Sequence, residues 1–287
     1  HGSAMHRRLC AVLPLLACLV GGAQALGMLQ WNPHWECFSH RHPECKRHAE
    51  GTVDQLLVEH AIDFANLIEL EDKEYKVPHP FEAVAHTCGR DVLTLVHNDE
   101  KWSASSKAGA TERGCMLNYD RPFLVQQFDE RPAYGSRRVV VIAAHYPHGG
   151  GHEELRNALA SVAKATNVTQ VVLIADTNEF RDTPNEQIMG EITARDTRGN
   201  ETSTGSETLT GTEELASTVV PSGHLRGTKL LTSCCHNNDF DAVHAFDRII
   251  ANFGPEMHTE MLLNDNGTLP AWAQAGKMHK PILAEAG

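Results

Sequence analysis

Two runs, Arg138–Ala144 and Val171–Ala175, are almost unbroken Val, Ile, Leu and Ala. A strand with one wet face alternates polar and apolar residues. An unbroken run predicts a strand covered on both faces, which requires helices as additional layers. His152–Thr166 supplies such a helix, with Leu155, Ala158, Leu159 and Val162 at 3–4 spacing. A second helix is expected from Thr52, as its cap, to about Ala61, with Val53, Leu56, Leu57 and His60 on one face. Leu26–Trp31, Phe64–Leu70, Asp91–His97, Phe123–Phe128, Leu230–Ser233, Ala245–Phe253 and Pro281–Ala284 read as further strands. Lys101–Gly114 and Arg195–Pro221 read as polar surface loops. Covered strands mixed with amphipathic helices predict a layered α/β domain, expected over residues 26–287.

The first 25 residues read as a targeting segment. Residues 1–5 resemble a tag remnant. From Met5, His6-Arg7-Arg8 is a basic head, Leu9–Val20 a short apolar run, and Ala23-Gln24-Ala25 a small-x-small cleavage site. The run is too short to span a bilayer permanently, so export with cleavage near Ala25 is expected and stable membrane insertion is not. Cys10 and Cys18 would leave with it. The remaining six cysteines, 37, 45, 88, 115, 234 and 235, are even in number, as disulfides require. Cys37 and Cys45 are spaced for a local staple, and the adjacent Cys234 and Cys235 are expected to reach different partners. Asn167, Asn200 and Asn266 open glycosylation sequons. The net charge of -12, from 25 Lys+Arg against 37 Asp+Glu, argues against holding nucleic acid through a basic surface. The basic group Arg131, Arg137 and Arg138 stands out locally. Oligomeric state is open.

Chemistry-bearing residues fall where the apolar strands end. Trp31 runs into Asn32 and His34, Ile68 into Glu69, Ala144 into His145 and His148, and Ala175 into Asp176 and Asn178. Asp247 lies inside an apolar strand and His279 just before the last one. Carboxylates among apolar strands are costly unless paired or bound to metal. Glu, Asp and Asn oxygens suit a hard divalent cation such as Mg²⁺, Mn²⁺ or Ca²⁺, with Mg²⁺ or Mn²⁺ expected first. Of the 18 histidines, His34, His40, His42 and His48 read as loop residues near the Cys37–Cys45 staple.

In order along the chain, these segments read Leu29-Gln-Trp-Asn-Pro-His34, Asn66-Leu-Ile-Glu-Leu70, Ile142-Ala-Ala-His-Tyr-Pro-His148, Ile174-Ala-Asp-Thr-Asn178, Phe246-Asp-Arg-Ile-Ile250 and Lys277-Met-His-Lys-Pro-Ile282. Together they resemble the ordered blocks of the endonuclease/exonuclease/phosphatase superfamily, the deoxyribonuclease I-like fold. The resemblance implies a four-layer α/β sandwich: two mixed β-sheets face to face, flanked by helices, with the active site at one edge. It implies hydrolysis of a small-molecule or nucleic-acid phosphoester. It makes Glu69 the main metal ligand, with Asn32 and Asp176 beside the metal. Asp176 would orient or activate water, and Asn178 would hold a phosphoryl oxygen. His279 would act as acid/base or stabiliser and Asp247 would orient it. His145 would assist the leaving oxygen, and His148 would contact phosphate.

Two positions depart from the family pattern. Met278 stands where the family usually has Asp, and Ala175 where it has Gly. A thioether neither binds Mg²⁺ usefully nor carries a proton. The imidazoles at 34, 145, 148 and 279 would shift metal preference toward Mn²⁺ or Zn²⁺. Two rival expectations follow: a His-rich Mn²⁺ or Zn²⁺ hydratase or lyase, and an inactive binding relative. Asp91 and Glu82 are the candidate partners of His145.

Overall fold

The computed structural model describes residues 25–39, 41–72, 75–117, 120–179, 185, 188–189, 226–227, 233–236, 242–254, 257–262, 270–275 and 278–286. In chain order its strands are β1 (Leu26–Trp31), β2 (Phe64–Ile68), β3 (Phe81–Cys88), β4 (Asp91–Asn98), β5 (Trp102–Ala104), β6 (Thr111–Met116), β7 (Arg121–Glu130) and β8 (Arg138–His145). They continue as β9 (Val171–Asp176), β10 (Arg226–Gly227), β11 (Cys234–His236), β12 (Ala242–His244), β13 (Asp247–Ala251), β14 (Met257–Met261) and β15 (Ile282–Ala286). The helices are α1 (Pro43–Glu59), α2 (Glu153–Thr166) and the short α3 (Ala271–Ala275), with a 3-10 turn at Trp35–Phe38.

One sheet runs β14-β15-β1-β2-β4-β3 and the other β10-β13-β9-β8-β7-β5, with β6 also on β7. Each is mixed: β1–β2 and β8–β9 pair parallel, their neighbours antiparallel. The expected two-sheet sandwich flanked by helices is the observed architecture. The apolar run in β8 shows why. Val139, Val141 and Ala143 point into the core between the sheets, with Leu26, Phe64, Leu95 and Ile174. Val140, Ile142 and Ala144 point outward, against Leu155, Leu159 and Val162 of α2. Successive strand residues face opposite ways, so a strand buried twice is apolar throughout. On the other flank, α1 sets Cys45, Ala49, Val53, Leu56 and Leu57 against Leu29, Trp31 and Leu67.

Several predicted boundaries move. Helix α1 begins at Pro43 rather than Thr52. Proline fits a first helical turn because its missing N–H has no intrahelical partner there, and the charged run Lys46–His48 hides the buried stripe. His48 therefore lies on α1, its ring stacked on Trp272, and not in a loop. The expected polar loop Lys101–Gly114 holds β5 and most of β6, and β3 and β14 were not expected. The lateral strands β3, β6 and β14 are largely uncovered, and so carry little apolar pattern. Strand β2 stops at Ile68, the strand expected at Ala245–Phe253 narrows to Asp247–Ala251, and the last runs on to Ala286. The expected targeting segment up to residue 24, the expected loop over 195–221, Leu230 and the sequons at Asn200 and Asn266 lie outside the described residues.

The Cys37–Cys45 staple is present, and Cys88–Cys115 joins β3 to β6 across the two sheets. Cys234 is also disulfide-bonded. Cys37–Cys45 ties the 3-10 turn to the start of α1, two elements packed behind the rim formed by Asn32 and Glu69. Replacing both residues by serine is expected to cost about 2–3 kcal/mol, from the loop-closure entropy of an eight-residue span, read by denaturant unfolding. Among the described residues, no helix is long and apolar enough to cross a membrane.

Candidate active site

Strand register assembles the site. In the pairing of β8 with β9, His145 stands opposite Asp176. In the pairing of β9 with β13, Asp176 stands opposite Asp247. Three chemically capable side chains thus lie abreast on adjacent strands. On the facing sheet, β1 and β2 run parallel and end at Trp31 and Ile68, delivering Asn32 and Glu69 to the same rim. Antiparallel β4 and β7 begin there, at Asp91 and Arg121. Backbone strain marks this rim: His34, Glu69 and Asn178 have φ of 61°, 58° and 48°. Non-glycine residues hold that region only where surrounding contacts enforce it. For Glu69 those contacts are its N–H to Val92 O at 2.7 Å and the Trp35 N–H on its Oε2 at 2.9 Å.

Asp176 is the centre. Its Oδ2 accepts from Asn32 Nδ2 at 2.9 Å and lies 3.7 Å from both His145 Nε2 and His279 Nδ1. Its Oδ1 accepts the Asn178 N–H at 3.2 Å. Each imidazole has its own carboxylate. His145 Nδ1 meets Asp91 Oδ2 at 2.6 Å, and His279 Nδ1 meets Asp247 Oδ2 at 2.9 Å. Asp247 is fully buried and saturated, accepting also from Gln30 Nε2 at 3.0 Å and Ser233 Oγ at 2.5 Å. Asn66 supports Gln30 from β2, donating to its Oε1 at 2.8 Å. A polar chain therefore crosses between the sheets to set the His279 ring.

The charges follow from this geometry. Burial works against an imidazolium, but Asp91 and Asp176 outweigh it and hold His145 above the usual histidine range. Burial likewise opposes charge on His279, and Asp247, Asp176 and Glu69 lift it to about 9. Burial favours a neutral Asp176. The two imidazoles, the Asn32 amide and the Asn178 N–H win, so its carboxyl sits below the ordinary aspartate value. Glu69 is the exception. Burial pushes it up, Asp91 and Asp176 add to that, and His145 and the Trp35 N–H do not cancel them.

A cation fits at Glu69. Glu69, Asp91 and His145 each offer a ligand atom within 4.8 Å of the others. Asp91 Oδ1 is buried without a hydrogen-bond partner, and burial pushes Glu69 up despite the His145 imidazole beside it. Asp176, Asp247 and His279 also offer ligand atoms within 4.8 Å of one another, but His279 Nδ1 is already bound to Asp247 Oδ2 at 2.9 Å and lies 3.7 Å from Asp176. Arg121 Nη1 lies 3.0 Å from Asp91 Oδ2, 3.3 Å from His145 Nδ1 and 4.0 Å from Glu69 Oε1. A cavity of about 1200 Å³ opens from this end, lined by Trp35, Glu69, Tyr75, Arg90, Asp91 and Arg121 among others. Asp176 and His279 are not among its walls.

The predicted residues Asn32, Glu69, His145, Asp176, Asn178, Asp247 and His279 all reach this rim. His148 does not join the network. It stands exposed after β8, its ring 6.4 Å from that of Phe246. Asn178 donates to Tyr146 O at 2.9 Å, leaving its second amide hydrogen for a ligand. Asp91 is the partner of His145, whereas Glu82 pairs across β3–β4 with His97. Met278 is buried in the apolar cluster with Trp31 and Leu56. Arg131 and Arg137, expected as a basic group, are paired with Asp99 and Glu130. Sequence reading missed Arg121, Gln30, Asn66 and Ser233. Only the charged Asp120-Arg121 step heading the Phe123–Phe128 strand hinted at Arg121.

No protein-family model matches the sequence, and no curated protein matches it either. Solved structures do. D. rerio TDP2 complexed with a single-strand DNA product is 12% identical over 92% of this chain and 99% of its own, with TM-score 0.56. The mannosyl-6-phosphatase Bt3783 of Bacteroides thetaiotaomicron is 10% identical over 91% and 99%, with TM-score 0.56. An endonuclease/exonuclease/phosphatase from Bacteroides vulgatus is 13% identical over 92% and 99%, with TM-score 0.51. From the two mixed sheets to the rim where their strands end, the chain has the fold of the endonuclease/exonuclease/phosphatase superfamily.

Proposed function

We propose that this chain is a phosphoester hydrolase that works with a divalent cation. The observation that carries the reading is an anionic Asp176 held between two imidazoles, each oriented by its own carboxylate. Hydrolysis at phosphorus needs an aligned water, positive charge around the equatorial oxygens and a proton for the leaving oxygen. Asp176 stays anionic and accepts a hydrogen bond from the attacking water. His279, held protonated by Asp247, faces the same carboxylate and stabilises the charge that develops. His145, protonated against Asp91, donates to the leaving oxygen. Arg121 and the free amide hydrogen of Asn178 hold phosphoryl oxygens. Glu69, with Asp91 beside it, would hold the cation, which supplies charge neutralisation at phosphorus when bound. These oxygen donors favour Mg²⁺ or Mn²⁺.

The neighbours support the general class: one is a mannosyl-6-phosphatase and another holds a single-strand DNA product. The cavity beside Glu69 bears on substrate. Its walls carry Glu71, Asp72, Glu82 and Asp120 as well as Arg90 and Lys76, an unfavourable track for a polyanion. The reading therefore favours a small phosphoester over duplex DNA. Its test is hydrolysis of bis(p-nitrophenyl) phosphate and of phosphate monoesters by the full chain. Turnover that is lost with a chelator and restored by Mg²⁺ or Mn²⁺ is the expected result. Metal-loaded protein that hydrates CO₂ but turns over no phosphoester would overturn it. We also infer export of the chain. The N-terminal pattern, the disulfides and the exposed Asn167 sequon support it, and a secreted product beginning at Leu26 would be the expected observation.

A further inference from the structure

Away from the rim, three side chains able to bind a soft metal converge where the sheet edges meet. His86 and Cys88 are two apart on β3, so their side chains leave the same face of the strand. Cys115 comes from β6, on the other sheet, with its Cα 5.7 Å from that of Cys88. His86 Nε2 lies 3.5 Å from Cys88 Sγ, 3.9 Å from Cys115 Sγ and 3.1 Å from Gly114 O. All three ligand atoms fall within 4.8 Å of one another. His86 and Cys115 are only half-buried, which leaves a path for an ion and for a water as fourth ligand.

We propose that His86, Cys88 and Cys115 form a Zn²⁺ site when the Cys88–Cys115 disulfide is reduced. The oxidised pair is the structure described above. Two thiol molecules, or one dithiol, break the Cys88–Cys115 bond and supply two electrons and two protons. Two cysteine thiols form, and the reductant leaves as its own disulfide. Zn²⁺ then displaces both thiol protons to solvent and takes two thiolates, with His86 Nε2 as third ligand. The His86 proton moves to Nδ1, giving up the bond to Gly114 O. Two thiolates and an imidazole are a preferred zinc donor set, and water completes the tetrahedron. The bridge between β3 and β6, and so between the sheets, persists in both conditions, covalent in one and coordinated in the other. Nothing in this proposal depends on the rim chemistry.

Co²⁺ reports such a site through sulfur-to-cobalt absorption in the near ultraviolet. The full chain, oxidised or reduced with a phosphine, is titrated with Co²⁺ and then with Zn²⁺. The band is expected in reduced protein only, discharged by Zn²⁺, and retained in C37S/C45S. It is expected to vanish in C88S/C115S. H86Q keeps both sulfurs and should weaken Co²⁺ binding by more than the about tenfold that loss of an outer partner costs. Reduced protein without the band, a band surviving C88S/C115S, or unchanged affinity in H86Q would each overturn the assignment.

Discussion

Glu69→Gln and Asp176→Asn are each expected to lower kcat on a generic phosphodiester by about 10³-fold or more, with the fold intact. The causes differ, and so do the accompanying readouts. Glu69 is a buried carboxylate without adequate countercharge, the condition a cation relieves. Its loss should weaken Mg²⁺ or Mn²⁺ binding along with turnover. Asp176 accepts hydrogen bonds from Asn32 and Asn178 and lies 3.7 Å from two imidazoles. Its neutral isostere should leave metal affinity less affected while removing the group that aligns water and holds both histidines charged. Circular dichroism and thermal unfolding verify folding in both variants. Retained turnover in the two would sink the proposed hydrolysis at this rim.

Asp247→Asn is expected to lower kcat by about 10³–10⁴-fold, the scale seen when a histidine loses the carboxylate that sets its tautomer. His279 is lifted from 6.5 to about 9 despite complete burial, with Asp247 the first carboxylate responsible. As a protonated group it serves below that value, so the rate should fall as pH rises through about 9. In Asp247→Asn the alkaline limb should move down toward the ordinary histidine range. An unmoved limb would assign it to another group. Stability carries the same sign. A raised histidine contributes fully below 6.5 and loses that contribution between 6.5 and about 9. Metal-free protein should therefore unfold at lower denaturant at pH 9 than at pH 6. Asp176 acts oppositely, because its carboxyl is held low and its contribution fades as the solution is acidified below 3.8.

Met278, at a position where the resemblance led to an expectation of aspartate, has a structural role of its own. The thioether packs with Trp31 and Leu56, so position 278 belongs to the core behind the rim. Its neighbour His279 still meets Asp247 and Asp176. The rival expectation of a histidine-rich metal site drew on Met278 and on the pair His145 and His148. Of these, His145 does stand beside Glu69 and Asp91. Met278 and His148 do not: the first is an apolar core residue and the second stands exposed.

Strands buried on both faces were legible because their apolar runs record the environment directly, as in β8 and β9. The residues ending them were legible for the same reason: an ionisable group beside such a run violates the local pattern and calls for a partner. Lateral strands such as β3 and β6 left little trace, since most of their side chains stay at least partly exposed and little periodicity is enforced. Most partners of the site were equally hidden. Asp91 was one of two candidates for His145, but Arg121 begins a strand, where a charge is unremarkable, and Gln30 and Asn66 are single amides inside apolar segments. Which carboxylate faces which imidazole depends on register between strands distant in the chain. His145, Asp176 and Asp247 meet because β8, β9 and β13 align them abreast. The amino-acid order thus determined the layers and the chemically capable residues, through local hydrophobic pattern. Tertiary structure decided their pairing and charge states, because hydrogen bonds and Coulomb interactions act through distances that one-dimensional order does not contain.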